Sequence, residues 1–220
     1  MPDPEKPRRP RADDGLLIVG LVGRAGSGKS SVARALAASG ARVLDADRIG
    51  HEVTDQDATV RAALTAEYGP AAYLDDGTLN RRLVAAAVFS SPAALEALNR
   101  LVHPRILHRL RDRLARWIAE GFRGTVVVDA ALMLDWGFER DCDAVIAVVA
   151  DEDAQVARLV ASRGWSEADA RRRLAAQRPD AAFADAADVV IRNDGDEAAL
   201  VAAAASALER VASARSGARA

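Results

Sequence analysis

The chain has 220 residues, half of them hydrophobic and 28% charged, with a formal net charge of −2. Such a composition belongs to a soluble globular protein and argues against a general role on nucleic acid or a membrane surface. A single cysteine, Cys142, excludes an intrachain disulfide and a cysteine-based zinc site, and no apolar run approaches the roughly 20 residues of a membrane span.

Residues 1–14 are rich in Pro and Arg and are expected to form a disordered tail. No apolar signal core precedes the first strand, so a cytoplasmic location is expected. The run from Leu16 to Val22 reads as a strand buried on both faces. Gly23-Arg24-Ala25-Gly26-Ser27-Gly28-Lys29-Ser30 follows, a G-x-x-x-x-G-K-[ST] loop without deviation. The stretch from Ser31 to Ala38 reads as a helix. The glycines let successive N–H groups converge on one anion, and the helix N-terminus adds positive potential. Lys29 is informative in itself, because only two of the 30 basic residues are lysines. A compact ammonium nests against two phosphate groups where a planar guanidinium is too bulky.

A second strand over 41–44 ends in Asp45-Ala46-Asp47. Positions i and i+2 share one side of a strand, so both carboxylates are expected to face the phosphate site. Helical spacing dominates the long stretch before the third strand, far more chain than a crossover needs. Residues 57–121 are therefore expected to be a helical insertion that binds the acceptor, its longest helix broken or kinked at Pro104. Strands over 125–128 and 144–149 are β-branched and unalternating. Helices over 153–162 and 166–177, the second N-capped by Ser166, carry several arginines, and 153–185 is expected to be a lid. A strand at 189–191 and an Ala-rich helix over about 197–212 follow, and 214–220 read as loose. The repeated βαβ order predicts an α/β fold, with about five parallel strands between two layers of helices and the chemistry at the carboxyl ends of the strands. Its nucleotide-binding core would comprise 15–56, 122–152 and 186–213.

The loop residues Gly26, Ser27, Gly28, Lys29, Ser30 and Ser31 are the expected binding site for ATP phosphates. The Ser30 hydroxyl and Asp129, which ends the third strand, are the expected Mg²⁺ ligands. Asp45 and Asp47 can divide the roles of general base and support. Arg163 and Arg158 lie where a lid would clamp the transferring oxygens. His103 precedes the helix-breaking proline, while His51 and His108 lack metal-ligand spacing. These residues leave open a kinase for another small alcohol or nucleotide, or a non-catalytic nucleotide-binding module. A GTPase reading guanine through N-K-x-D is excluded, because no lysine follows Lys29.

The spaced set as a whole resembles the dephospho-coenzyme A kinases. The likeness covers nearly all of 17–210 and rests on G-R-A-G-S-G-K-S-S at the loop, V-L-D-A-D-R-I at 43–49 and G-T-L-N-R-R-L at 77–83. L-V-H-P at 101–104, R-G-W-S-E-A-D-A-R-R-R-L-A-A-Q at 163–177 and A-D-V-V-I-R-N-D-G at 187–195 complete it. The resemblance implies a P-loop kinase fold and phosphoryl transfer from ATP to the ribose 3′-hydroxyl of dephospho-CoA, the last step of CoA synthesis. It implies Asp47 as catalytic base, Arg81 and His103 in the acceptor-binding insertion, and Asn193 near the adenine; Asp45 and Asp129, at strand ends, are also expected beside the acceptor. The implied partner is a small-molecule acceptor, with no nucleic acid or membrane, in a monomer or weak homo-oligomer. Ala131 and Asp135 depart from the family's usual P-L-L-x-E, and Asn80 stands where the family often has Asp.

Overall fold

The structure, a computed structural model, describes residues 15–89 and 91–217. The tail expected over 1–14 and the last three residues lie outside the described residues. By contact the chain divides into two compact units, one of residues up to Leu44 and from Ile118 onward, the other Asp45–Trp117.

The first unit is built on β1 (Leu16–Val22), buried along its whole length. It runs parallel to β3 (Gly124–Asp129) on one side and β4 (Ala144–Val149) on the other. β5 (Val189–Arg192) runs parallel to β4, β2 (Arg42–Asp45) flanks β3, and the order is β2-β3-β1-β4-β5. Leu17, Val19 and Leu21 pack with Leu36 of α1 (Lys29–Ala38) and with Leu200 and Val211 of α10 (Glu197–Gly217). Leu16, Ile18 and Val22, which alternate with them, are equally buried. Both faces of the sheet are thus covered, which is why the strands read as continuous apolar runs. Each fully buried Leu, Ile or Val contributes about 1.5–3 kcal/mol.

The amino edge of this sheet is closed by side chains. Asp143 accepts from the Ile18 N–H at 2.7 Å and from Arg215 at 3.1 Å, and Asp188 accepts from the Val145 N–H at 2.6 Å. After β3 come the short α6 (Met133–Trp136) and a 3-10 turn at Phe138–Asp141. α7 (Glu152–Arg163), α8 (Glu167–Ala175) and α9 (Asp180–Ala186) lie between β4 and β5. Ser166 caps α8 as expected, accepting from the Asp169 N–H at 3.1 Å. α6 and α9 are too short to show a periodicity, and α10 continues through Gly217 where 214–217 had read as loose.

The second unit holds α2 (Ala46–Gln56), α3 (Ala58–Tyr68), a 3-10 turn at Pro70–Ala72, α4 (Arg81–Phe89) and α5 (Pro92–Ala119). α2 corrects the expectation for the two aspartates. Asp45 ends β2 and caps the helix, accepting from the Arg48 N–H at 3.0 Å, while Asp47 already stands in its first turn. Side chains two positions apart on a helix diverge, so the shared side expected of a strand does not hold. The cap and the buried stripe Ala46, Ile49 and Val53 outweigh the weak helix propensity of Gly50 and Thr54. Of the break or kink expected at Pro104, the break does not occur, because α5 runs through it without ending. The proline removes one N–H, but Val102, Ile106, Leu110 and Leu114 remain buried along a single face.

Candidate active site

The loop between β1 and α1 has the backbone of an anion receptor. Gly26 and Gly28 have φ values of +75° and +101°, in the region that disfavours other residues. A Cβ at Gly26 would lie 2.6 Å from the Gln155 carbonyl oxygen, and one at Gly28 would lie 2.2 Å from Asn193 Nδ2. Glycine is needed for conformation and for clearance alike. Among the described residues, no backbone hydrogen bond takes up the N–H groups of Gly26, Gly28, Lys29 or Ser30. These donors sit at the start of α1, where the helix dipole favours negative charge.

The Lys29 ammonium is ion-paired with Asp129 Oδ1, and each side chain is only 14% exposed. This brings together two of the residues expected to act on phosphate and metal. Ser30 is exposed on the first turn of α1. Its hydroxyl and the Asp129 carboxylate are hard oxygen donors, as a magnesium ion prefers, and the amide nest suits the phosphates that would supply further oxygens. No group of three or more His, Cys, Asp or Glu capable of holding a metal occurs among the described residues. Ser27 is fully buried, its Oγ without a hydrogen-bond partner among the described residues, so it contributes backbone rather than hydroxyl. Ser31 accepts from Arg34 through its own hydroxyl.

Asn193 and Arg158 hold the loop from outside. Asn193 Nδ2 donates to the Ser27 carbonyl at 2.8 Å, and Arg158 donates to the carbonyls of Gly26 at 3.1 Å and Asn193 at 2.8 Å. Arg158 thus engages backbone carbonyls of the loop and of Asn193 through Nη1 and Nη2, a contact beyond the expected phosphate clamp. Gln177, which the sequence reading passed over, accepts from the Ala25 N–H at 2.9 Å. No periodicity marks it; its only signal was its place at the end of the quoted 163–177 stretch.

Beneath the loop, the wholly buried Gln155 donates to the Ala150 carbonyl at 2.8 Å and to Asp180. Burial raises the Asp180 carboxyl above its ordinary value, with Glu152 pushing the same way and Gln155 and Arg24 opposing. Arg24 reaches Glu152 at 3.2 Å. α7 and α8 share a small core of Val156, Leu159, Ala170 and Leu174, with Ala25 of the loop packed against it.

The arginines of this segment differ in how they are engaged. Arg171 pairs with Asp153 at 2.7 Å and Glu167 at 2.9 Å, Arg172 pairs with Asp169, and Arg173 stacks 4.3 Å from the Trp165 ring centre. Arg178 pairs with Asp135 at 2.8 Å, which gives the shortened acid of the β3 exit a partner. Arg163 ends α7 beside Gly164 and is exposed.

In the second unit Arg81 donates to Asp55 at 3.1 Å and to Thr54 at 3.3 Å. Arg61 stacks 4.0 Å from the Tyr73 ring and donates to the carbonyls of Asp55 and Gly77. His103 is half-buried on α5, and Asp45 and Asp47 are exposed at the start of α2.

A family model described as dephospho-CoA kinase matches residues 17–199. A dephospho-CoA kinase of Corynebacterium efficiens is 42% identical over 180 residues, covering 82% of this chain and 90% of that protein. A crystal structure of a Thermus thermophilus protein aligns with a TM-score of 0.75 at 29% identity, over 89% of this chain and 97% of its own. A dephospho-CoA kinase from Campylobacter jejuni aligns with a TM-score of 0.69 over 91% and 99%; at 18% identity it supports the fold alone.

Proposed function

The chain belongs to the dephospho-CoA kinase family, and on that premise we propose that it transfers the γ-phosphoryl group of ATP to the ribose 3′-hydroxyl of dephospho-CoA, giving CoA and ADP. The observation that carries the phosphate half of this reading is the loop with four unclaimed N–H groups beside the Lys29–Asp129 pair. Those amides and Lys29 would bind the phosphates. The acceptor oxygen attacks the γ-phosphorus as the bond to the β-phosphate oxygen breaks, and Asp47 takes the hydroxyl proton. Lys29 follows the migrating charge, and Arg163 neutralises it from the end of α7.

Mg²⁺ would be held by Ser30 and Asp129; it supplies charge neutralisation for the phosphate oxygens. For Lys29 to reach phosphate it must exchange Asp129 for the nucleotide. Residues 57–121, with Arg81 and His103, are assigned to acceptor binding, and Asp45 supports Asp47. Residues 153–185 act as the lid, whose closure excludes water and limits wasteful hydrolysis. Arg158 and Asn193 act on the nucleotide through the loop. No helix among the described residues is long and apolar enough to cross a membrane, and the reading places the enzyme in the cytoplasm as a monomer or weak homo-oligomer.

ADP release from MgATP would be measured with dephospho-CoA, adenosine, AMP and shikimate as separate acceptors. Turnover with dephospho-CoA far above the others is expected. Transfer to any of the others with none to dephospho-CoA would overturn the acceptor assignment.

A further inference from the structure

The loop's polar groups fall into two sets. The N–H groups of Gly26, Gly28, Lys29 and Ser30 are unclaimed by the backbone among the described residues. Three consecutive residues, Ala25, Gly26 and Ser27, each have another backbone group held by a side chain. Gln177 takes the Ala25 N–H, Arg158 the Gly26 carbonyl and Asn193 the Ser27 carbonyl. We propose that Gln177 is a positioning residue for ATP, which together with Arg158 and Asn193 holds the phosphate loop in its anion-receiving form before nucleotide arrives.

The three holds differ in origin. Asn193 is buried, and its own N–H donates to the Val149 carbonyl at 2.8 Å, so it is fixed by the end of the sheet. Arg158 joins Asn193 to the loop and projects from α7, whose Val156 and Leu159 are buried. Gln177 follows α8, is half-buried, and reaches the loop through its amide side chain. Removing its acceptor would leave the Ala25 N–H to turn toward water or to compete for the anion. The peptide after it would lose its alignment, and the four free amides would no longer converge. Net loss of one such hydrogen bond corresponds to about a tenfold change in an equilibrium. The effect should fall chiefly on nucleotide, because the side-chain hydrogen bond of Gln177 is to the phosphate loop.

This inference rests on the loop binding phosphate and not on the identity of the acceptor. Its test therefore uses ADP binding to the full chain, measured by calorimetry, with amide exchange of the loop in ligand-free protein. Gln177→Met keeps length and removes the acceptor. Gln177→Glu keeps an acceptor oxygen. Gln177→Met is expected to weaken ADP binding about tenfold and speed exchange at Ala25, with the melting temperature and the KM for dephospho-CoA near the parent's. Gln177→Glu is expected to restore parent-like exchange at Ala25, whatever its added charge does to ADP. ADP affinity of Gln177→Met within twofold of the parent, or equally fast exchange in both variants, would overturn the proposal. A shift in ADP affinity with no turnover of dephospho-CoA would leave it standing and refute only the acceptor.

Discussion

The two edges of the parallel sheet treat backbone polar groups in opposite ways. At the amino edge, Asp143 and Asp188 accept strand N–H groups, and Arg215 closes over Asp143 and the Leu16 carbonyl. There the side chains finish the hydrogen bonding of the strands. At the carboxyl edge, Gln177, Arg158 and Asn193 engage one side of the phosphate loop while four N–H groups on the other side stay unclaimed by backbone. On the proposed reading the first edge serves stability and the second a ligand. A loop held from one side by side chains, with four N–H groups gathered at the start of a helix, has the form that suits an anion.

Substitutions at the carboxyl edge should change rate or nucleotide affinity, and those at the amino edge should change stability. The largest expected effect is at Asp47. Asp47→Asn should lower turnover by about 10²–10⁴ with ATP affinity nearly intact, read from steady-state rates and a nucleotide titration. Asp45→Ala removes a helix cap instead, and should cost about 1 kcal/mol of stability with a smaller loss of rate. If Asp45→Ala slows turnover more than Asp47→Asn, the two roles are reversed.

Lys29→Arg comes next. It keeps the charge that meets Asp129 but replaces a point cation with a planar fork in a place where the parent side chain is only 14% exposed. Turnover should fall by about 10²–10³ or more, comparable with losing a major electrostatic donor, while thermal melting of the ligand-free protein stays near the parent's. Substantial retained activity would show that lysine is not required there.

The amino edge offers the opposing case. Asp143→Ala leaves the Ile18 N–H without its acceptor and should cost about 1–3 kcal/mol in denaturant unfolding, with kcat per folded molecule unchanged. A change in the KM for ATP would break the division between the edges.

Asp180 is the subtler case at the carboxyl edge. Burial raises its carboxyl, so between the ordinary value and the raised one the folded protein keeps a proton that the unfolded chain has released. Stability contributed by the protonated form is full below the ordinary carboxylate range and declines as pH rises through the raised value, remaining lower above it. Asp180→Asn should flatten this decline in melting curves taken from acid to neutral pH. An unchanged slope would remove Asp180 as its source.

The smallest effect separates two exposed arginines. Arg163→Ala should slow turnover with little change in melting, whereas Arg171→Ala, which loosens surface ion pairs, should leave turnover almost unaltered. Equal rates for the two variants would contradict the role given to Arg163.

What could be read from sequence follows the range over which each feature is encoded. The loop is one continuous segment whose chemistry is in its backbone, so its glycines and Lys29 announced it. The strands announced themselves through unbroken apolar runs. α2 was hidden because Asp45-Ala46-Asp47 suits a strand end as well as a helix cap, and only the stripe Ala46, Ile49 and Val53 favours the cap. The roles of Arg158, Asn193 and Gln177 depend on partners 132, 166 and 152 residues away, and no local pattern encodes such pairings. The place of Arg158 in the arginine-rich segment suggested a nucleotide role for it and the resemblance one for Asn193, and the structure shows that both side chains engage the loop backbone.

The most direct measurement is the chemistry of the product. The full chain would be incubated with MgATP and dephospho-CoA, and the product examined by proton and phosphorus nuclear magnetic resonance. A new phosphomonoester coupled to the ribose 3′ proton, formed in step with ADP, is the result expected. Phosphate on the 2′ position, or ADP formed with no new ester, would contradict the proposed reaction.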